Sequence, residues 1–461
     1  MRAPRRTSRR SFLGSSARSG AGLLILKSSA SAFAYRANER ANLAHVGVGG
    51  RGRELLPAFA DLATPVALCD VNESKATEMY RRFPDVPKFH DYREMLDRKG
   101  REIDAVVVAT PDHTHAIITA AAIRAGKHVY TEKPLTRTIH ESRVLRDLAA
   151  RHKVATSMGN QGTASHQFRR AMELIRDGTL GPVKEIHVWN DGGGAGFNEV
   201  PKEEAKVPFY LNWDLWIGPA ATRPFHPRWM NWHQWRDFGT GQLGNWASHT
   251  ANLAFMALKV DSLWNGGPTG SPLLRVEAKV DEINRLSFPR WETITWQIPA
   301  RGELPPVPLH WHNGSRAPGM RDRLEALVGR GLDWGDKGEK KWADFAGCLI
   351  VGADGMIHAT GHNATFTMLP ADKFRDVKMD APQKLERSHG HERDWLTACG
   401  GGKPAWANFD YASALNQFLQ LGNVATQFEG PLDSDPVAGT IRNHPGATAA
   451  LFSEYRKGWS L

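Results

Sequence analysis

The chain has 461 residues, 41% of them hydrophobic and 23% charged, which is typical of a soluble globular protein of about two domains. Its formal net charge is +10, but residues 1–34 hold seven basic residues and no acidic one, which leaves 52 basic against 49 acidic residues elsewhere. This near-balance excludes a strong positive field, so no nucleic-acid partner is expected. No segment approaches the roughly 20 consecutive apolar residues of a stable membrane span.

Residues 1–34 have the pattern of a twin-arginine signal peptide. An Arg9-Arg10 pair is followed by an apolar stretch at residues 21–26 and by small residues at 30–34 that offer cleavage positions. We therefore expect the twin-arginine export machinery as a partner and a periplasmic or otherwise exported location. The alternative is a basic tail without a targeting function.

Residues 42–160 alternate short apolar strands with helical segments, and Val106-Val107-Val108 is typical of a strand buried on both faces. Repeated alternation implies right-handed parallel crossovers, so this part predicts a doubly wound parallel sheet, a Rossmann domain. The predicted strands are 43–48, 66–71, 103–110, 128–130 and 154–158, and the predicted helices are 53–62, 73–82, 114–126 and 139–152.

Residues 161–430 have many tryptophans, prolines and glycines between strand-like pieces. This mixture predicts an α+β domain with a large, mostly antiparallel sheet, which makes the whole protein an α/β protein. Residues 431–461 are predicted to be a loop-rich arm across the surface. Within the second domain, the predicted strands are 183–190, 274–280, 292–298 and 348–351, and the predicted helices are 168–177, 391–399 and 409–428.

A glycine-rich hexapeptide separates the first predicted strand from the first predicted helix: Gly47-Val48-Gly49-Gly50-Arg51-Gly52. Such glycines permit a tight turn and close approach to a pyrophosphate, which the helix N-terminus attracts. Asp70 lies 18 residues further on, at the end of the next strand, where a carboxylate can bond ribose hydroxyls and repels a 2′-phosphate. The motif predicts a bound dinucleotide, NAD rather than NADP; a glycine-rich loop without a ligand is the alternative.

Two further strand ends carry polar residues at the same predicted edge of the sheet. They are Thr110-Pro111-Asp112-His113-Thr114-His115 and Thr131-Glu132-Lys133-Pro134. Open α/β sheets bind ligands at the carboxyl ends of their strands. Beside a cationic cofactor, Lys133 can have a lowered pKa or hydrogen-bond a reacting hydroxyl, and a surface ion pair with Glu132 is the alternative.

The glycine motif, Asp70 and the Glu132-Lys133-Pro134 tripeptide together resemble the glucose–fructose oxidoreductase/inositol dehydrogenase (Gfo/Idh/MocA) family. The resemblance continues through segments 159–162, 237–249 and 351–355. It implies an NAD(P)-dependent oxidoreductase that forms a homo-oligomer and acts by hydride transfer on a hydroxyl of a sugar-like substrate. It places the cofactor against Gly47, Gly49, Gly50, Arg51, Gly52, Asp70, Thr110, Pro111, His115, Glu132, Lys133 and Asn160, and the chemistry on Lys133, His249 and Asn245.

Asn245 departs from the family pattern, which usually has an aspartate four residues before the site histidine, here His249. That spacing places both side chains on one face of a helix. An amide cannot act as a base, so His249 is the better acid–base candidate, unless it is a core histidine bonded to backbone, and Asn245 is an orienting group. Two alternatives remain: a redox-neutral NAD-dependent glycosidase or lyase of the same fold, and a non-catalytic dinucleotide-binding relative, which Asn245 favours.

Other histidines and tryptophans have less specific patterns. The His-x-His spacings at residues 310–312 and 389–391 lack a convergent set of ligands, so no metal site is predicted. Trp229, Trp232 and Trp235 lie near the expected site, where aromatic faces suit the apolar faces of sugar rings. A tryptophan-rich core or a subunit contact is the alternative.

Export in the folded state would let the cytoplasm load the cofactor, whereas little free NAD would be available outside. An enzyme exported in this way must retain its NAD and regenerate it in place. We therefore expect slow release of NAD, with the tryptophan-rich second domain or a chain terminus covering the cleft, and a catalytic cycle that returns the cofactor to its starting state.

Replacement of Arg9 and Arg10 by lysine tests the export signal. The arginine pair is the recognition feature of the twin-arginine route, so the double variant should stay in the cytoplasm. Cell fractionation and immunoblotting measure this, with replacement of Arg5 and Arg6 by lysine as the matched control. Normal export of the Arg9/Arg10 variant would contradict the assignment.

Overall fold

The computed structural model describes residues 40–266, 272–334, 344–378 and 383–461. The expected signal peptide, residues 1–34, lies outside the described residues. Two sheets organise the described chain, one of six strands and one of nine. Among the described residues, no helix is both long and apolar enough to cross a lipid bilayer.

The first sheet is entirely parallel, with the strand order β3-β2-β1-β4-β5-β6, which confirms the predicted doubly wound fold. Its strands are β1 Asn42–Val46, β2 Thr64–Cys69, β3 Lys88–Phe89, β4 Ala105–Val108, β5 His128–Thr131 and β6 Thr156–Met158. The helices between them are α1 Gly52–Ala60, α2 Glu73–Arg82, α3 Tyr92–Lys99, α4 Asp112–Arg124 and α5 Ile139–His152.

Local sequence explains most of these elements. All four residues of β4 are buried, as expected for β-branched side chains covered on both faces. Helix α5 begins with a capping box in which Thr138 and Glu141 bond each other's backbone amides. The sequence did not predict β3 or α3, because β3 has two residues and α3 is strongly polar, so neither has an apolar period.

The second sheet has the strand order β13-β12-β11-β7-β10-β9-β8-β14-β15. Among the described strands of this sheet, only β7 and β10 pair in parallel, so the sheet is mostly antiparallel, as predicted. Its strands are β7 Val183–Asn190, β8 Leu274–Val280, β9 Glu292–Ile298, β10 Val307–Asn313, β11 Ala346–Gly352, β12 Met356–Thr360, β13 Phe366–Leu369, β14 Leu432–Asp435 and β15 Thr440–Ile441. The α-helices of this part are α6 His166–Arg176, α7 Trp213–Ile217, α8 Ser248–Thr250, α9 Asn252–Ala257, α10 Met320–Val328, α11 His391–Cys399, α12 Phe409–Ala425 and α13 Pro445–Ala449.

One hydrophobic core joins the two sheets. It runs from Leu145 of α5 through Phe418 of α12 to Trp296 of β9, and all three side chains are fully buried. The Trp296 indole N–H donates to the Phe418 carbonyl oxygen at 3.1 Å, and the two rings stack. This shared core holds the sheets together, so that residues from both can form one site.

Residues 431–461 are mostly loop, as predicted, but they also add two short strands to the second sheet. Strand β14 extends the second sheet by pairing with β8, and β15 pairs with β14. The side chains of Leu432, Ile441 and Leu451 are buried in the main core. The sequence did not predict these strands because the apolar residues occur singly among polar ones, and only the free edge of β8 makes residues 432–435 a strand.

Leu432→Ala tests whether this segment is part of the core. Loss of a fully buried leucine leaves a cavity and should lower the free energy of unfolding by about 2–5 kcal/mol. Val437→Ala, at a side chain 41% exposed on the same segment, should cost less than about 0.5 kcal/mol. Urea denaturation followed by circular dichroism measures both, and equal small effects would place the segment on the surface.

Candidate active site

The turn between β1 and α1 has no room for side chains at several positions. A Cβ atom at Gly52 would lie 1.9 Å from the Gly47 carbonyl oxygen, and one at Gly47 would lie 2.5 Å from that of Ala109. Gly47 and Gly50 also have positive φ angles, +81° and +48°. The turn therefore presents backbone at the start of α1, where the first helical amides have no intrahelical acceptor.

Asp70 follows β2 and bonds to this glycine loop. Its Oδ2 atom accepts hydrogen bonds from the amides of Val48 (2.9 Å) and Gly49 (3.2 Å), and Oδ1 accepts one from the amide of Asn72 (2.9 Å). Burial raises the pKa of the carboxyl group, although these hydrogen bonds oppose the shift. The carboxylate thus holds the loop in shape.

A cavity of about 870 Å³ extends along the carboxyl edge of the first sheet. Its wall includes the glycine loop, Asp70, Thr110, Pro111 and Lys133, whereas Gly52 is packed behind the wall against Gly47. The volume is within the range of small-molecule and cofactor sites. Backbone amides at a helix start, together with a carboxylate beside them, are the groups that a dinucleotide requires.

Glu132 braces this cavity from the end of β5. Its Oε1 atom accepts hydrogen bonds from Arg51 Nε (3.2 Å) and Gln161 Nε2 (3.1 Å), and Oε2 accepts one from the Lys133 amide (3.2 Å). A Cβ at Gly159 would lie 2.4 Å from the carboxylate, so a larger residue there would displace it. Glu132 therefore links the glycine loop to the loop that carries Lys133.

Lys133 is held by Asn245, which comes from the other domain. Its Nζ atom donates to the Asn245 side-chain oxygen Oδ1 (2.5 Å) and to the Asn245 main-chain oxygen (2.9 Å). Burial lowers the pKa of the amine, although the negative charges of Glu132 and Asp112 oppose this shift. An amide accepts these hydrogen bonds without the negative charge of an aspartate, so the amine loses its proton more readily than it would beside a carboxylate.

The turn that carries Asn245 is wider than the sequence spacing predicts. Leu243–Ala247 forms a π-helical turn, and His249 lies in the short helix α8 that follows. This π turn replaces the regular α-helical turn that we expected between Asn245 and His249. Turns of this kind recur at functional sites. A Cβ atom at position 244 would lie 2.1 Å from the Thr240 hydroxyl oxygen, so this position of the turn requires Gly244.

His249 is buried, and its Nδ1 atom has no hydrogen-bond partner among the described residues. Burial lowers its pKa well below the ordinary value, and the nearby Lys133 and His362 lower it further, which favours the neutral ring. Among the described residues, the cavity wall contains Lys133 and Asn245 but not His249. The His249 ring instead lies 4.6 Å from that of His362, measured between centroids.

Two histidines that belong to no sequence motif lie close to Lys133. His233 lines the cavity, its ring stacks on Trp232 at 3.5 Å, and burial lowers its pKa to about 4. His362 lies in the turn between β12 and β13, next to Asn363, whose backbone is left-handed (φ +53°). A left-handed asparagine marks a turn, but no local signal shows that this turn reaches the site.

Two residues that the family resemblance assigned to the cofactor have other surroundings. His115 is not part of the cavity wall, and its ring nitrogens contact the carbonyl oxygens of Pro134 and Thr110, each at 2.8 Å. These contacts position the loop after β4 against the Lys133 loop, and the expected contact of His115 with the cofactor stays a prediction. Asn160 is fully buried, and both polar atoms of its side chain lack a partner among the described residues, which fits a place where a ligand supplies the hydrogen bonds.

The His-x-His pairs at residues 310–312 and 389–391 form no metal site among the described residues. His310 and His312 lie on one face of β10, where both rings stack on His187 of β7. The His391 ring contacts the Met158 carbonyl oxygen at 3.0 Å. Within the described ranges, no group of three or more histidine, cysteine or acidic side chains is arranged to hold a metal ion.

The tryptophans near the site divide into two groups. Trp232 lines the cavity and remains available for a sugar ring. Trp229 and Trp235 are buried in an aromatic cluster with Phe238. Of the two alternatives that the sequence left open, a tryptophan-rich core therefore holds for Trp229 and Trp235.

Residues 41–160 match the family model GFO_IDH_MocA, described as oxidoreductase family, NAD-binding Rossmann fold. The chain is 29% identical over 143 residues to scyllo-inositol 2-dehydrogenase (NADP(+)) of Bacillus subtilis, a match that covers 31% of this chain and 39% of that protein. It is 29% identical over 205 residues to a glycosyl hydrolase family 109 protein of Saccharopolyspora erythraea, a match that covers 38% of this chain and 44% of that protein.

The architecture of both domains also matches a solved structure. GenD2 from gentamicin A biosynthesis, in complex with NAD, superposes with a TM-score of 0.55 at 18% identity, covering 86% of this chain and 97% of that one. The chain spans less than half the length of the two curated relatives it matches. Residues 41–160 therefore have the NAD-binding Rossmann fold of this oxidoreductase family, and the fold shared with GenD2 extends over 86% of the chain.

Asn245→Asp tests how the amide tunes Lys133. A carboxylate at hydrogen-bond distance favours the protonated amine, so the pKa of Lys133 should rise by about 1 to 3 pH units. Competitive acetylation at a series of pH values, with the labelled peptide quantified by mass spectrometry, measures this pKa without a known substrate. Asn408→Asp, at a helix N-cap that accepts either residue, is the control. An unchanged or lower Lys133 pKa in Asn245→Asp would contradict the arrangement.

Proposed function

We propose that the protein is an NAD(P)-dependent oxidoreductase that transfers hydride at a hydroxyl-bearing carbon of a sugar or polyol. One observation carries the proposal: the Lys133 amine, with its lowered pKa, lies in the wall of the same cavity as the glycine loop and Asp70. The name of the Bacillus relative, an inositol dehydrogenase, supports a polyhydroxylated substrate.

The groups of this chain suit a dinucleotide. The amides at the start of α1 and the positive end of its dipole would bind the pyrophosphate, with the Arg51 guanidinium, 40% exposed, beside them. The Asp70 carboxylate would accept hydrogen bonds from the adenosine ribose. Because the same carboxylate repels a 2′-phosphate, it favours NAD over NADP.

Lys133 is the proposed group for proton transfer. A nicotinamide bound in this cavity would supply the hydride acceptor. Lys133 would take the proton of the substrate hydroxyl, since its lowered pKa increases the fraction of neutral amine. Asn245 orients the amine through two hydrogen bonds, whereas His249 lies outside the cavity wall and no direct contact with the substrate is proposed for it.

A redox-neutral glycosidase or lyase with retained NAD is the second candidate. The similarity to a glycosyl hydrolase family 109 protein favours it. In such a cycle the sugar would be oxidised, cleaved and reduced again, so that no net NADH forms. The non-catalytic alternative depended on Asn245 and loses support, because this amide positions Lys133 directly.

The Arg9-Arg10 pair supports export by the twin-arginine route with the cofactor already bound. A folded cargo would carry its dinucleotide across the membrane, and slow release would keep it in place outside. The resemblance to an oligomeric family supports a homo-oligomer.

Mass spectrometry of the protein purified natively, without added cofactor, tests the proposed function. We expect retained NAD. Addition of a panel of sugars and polyols should then yield NADH, followed by absorbance, together with a ketone product. Cleaved sugar without net NADH would select the redox-neutral candidate. Failure to bind either NAD or NADP, retained or added, would contradict both.

The role of Lys133 is tested in the same assay. Lys133→Met should still bind NAD but turn over at least about 100-fold more slowly, because proton transfer is lost. Lys184→Met, at an exposed position of β7, is the matched control and should be unaffected. Full turnover of Lys133→Met would move the proton-transfer role to another group.

A further inference from the structure

A strap formed by residues 451–459 leads from the core of the second sheet onto the Rossmann domain. The Leu451 carbonyl accepts a hydrogen bond from the His140 amide (3.1 Å), and the Tyr455 hydroxyl donates to Glu141 Oε1 (2.6 Å). Both partners belong to the first turn of α5. The strap is therefore attached to the Rossmann domain before it reaches the cavity.

Arg456 fastens the strap near its end. Its Nε atom donates to the Gly218 carbonyl oxygen (2.6 Å), and its two terminal nitrogens donate to Asp214 Oδ1 (2.6 Å) and to the Asp214 carbonyl oxygen (2.8 Å). The hydrogen bond from Arg456 also lowers the pKa of the Asp214 carboxyl group. The Arg456 amide adds a bond to the Pro219 carbonyl oxygen (3.0 Å), so the strap and the segment 214–219 hold each other.

The segment that receives Arg456 is itself bound to the Rossmann domain. The Glu73 amide donates to the Tyr210 carbonyl oxygen, and the Asn212 amide donates to that of Val71, each at 2.9 Å. These contacts lie at the junction of β2 and α2, the same junction that carries Asp70. The strap and the segment 214–219, both from the second domain, thus meet over one side of the cavity.

Trp459 continues the strap into the cavity wall. Its side chain is half-buried, and the Arg93 guanidinium lies 4.6 Å from the centre of its rings. Arg93 is held in turn by Asp91 at the junction of β3 and α3. In the strand order of the first sheet, β3 and β2 lie on the opposite side of β1 from β5, which carries Lys133. Trp459 is therefore at the Asp70 end of the cavity and away from the reacting end.

We propose that Trp459 contacts the adenine ring of the bound dinucleotide and that the strap closes this end of the site. The proposal rests on the proposed function for the presence of a dinucleotide. A flat indole in the wall beside the ribose-binding carboxylate is suited to stack on a purine, as aromatic side chains do on nucleic-acid bases. Because the strap and segment 214–219 cover the same end, the dinucleotide leaves only when the Arg456 contacts open.

Dissociation rates of NAD test the contact. Trp459→Ala should release NAD about 10-fold faster or more, and Trp459→Phe should show a smaller increase, because a stacking surface remains. Lys457→Ala, at an exposed position of the strap, is the matched control and should leave the rate unchanged. Arg456→Ala keeps the Trp459 indole but removes the hydrogen bonds to Asp214 and Gly218 that hold the strap. It should therefore raise both the association and the dissociation rate of NAD.

Half-molecules of the cofactor test which end Trp459 contacts. Trp459→Ala should weaken binding of ADP-ribose about 10-fold and leave binding of nicotinamide mononucleotide unchanged, with thermal melting as the check that the variant is folded. Two outcomes would overturn the role of the strap while leaving the proposed function intact, provided that the wild type binds NAD. The first is weaker binding of nicotinamide mononucleotide to Trp459→Ala. The second is an unchanged rate of NAD release in both Trp459→Ala and Arg456→Ala. A wild-type protein that binds no dinucleotide would overturn the proposed function and the strap with it.

Discussion

The hydrogen bond between Lys133 and Asn245 is the interaction on which the candidate site depends. Lys133 follows β5 of the first sheet, whereas Asn245 lies in the π turn that packs against the second, so the 2.5 Å contact exists only when both domains are in place. A buried amine loses water and must find other acceptors. The two oxygens of Asn245 supply them without a negative charge, so one contact sets both the position and the proton affinity of the amine.

The surrounding structure keeps this contact rigid. The common core that includes Trp296 and Phe418 fixes the second sheet against α12, and α12 packs against α5 of the Rossmann domain. On the other side, Glu132 holds Arg51 and the Lys133 amide through the same carboxylate. The position of Lys133 therefore depends on packing far from the cavity, because the loops around it are held by buried partners.

Enclosure of the cavity gives the expected cofactor retention a physical basis. The tryptophan-rich segment uses most of its aromatic side chains for its own core, and Trp232 is one that faces the cavity. The strap adds Trp459 at the opposite end and fastens it through Arg456. An enzyme that is exported with its cofactor would need such closure, since a dinucleotide lost outside the cytoplasm would not be replaced.

The sequence by itself determined most of the Rossmann domain, residues 42–160. Apart from β3 and α3, the strands and helices of this domain and its glycine turn arise from neighbouring residues, through β-branched runs, glycine backbone freedom and helix capping. Only the tertiary structure brought His233 and Trp459 to the cavity, placed His362 against His249, replaced an α-helical turn by a π turn, and made residues 432–435 a strand. These features depend on contacts between residues far apart along the chain, and such contacts leave no periodic pattern in the segments that make them.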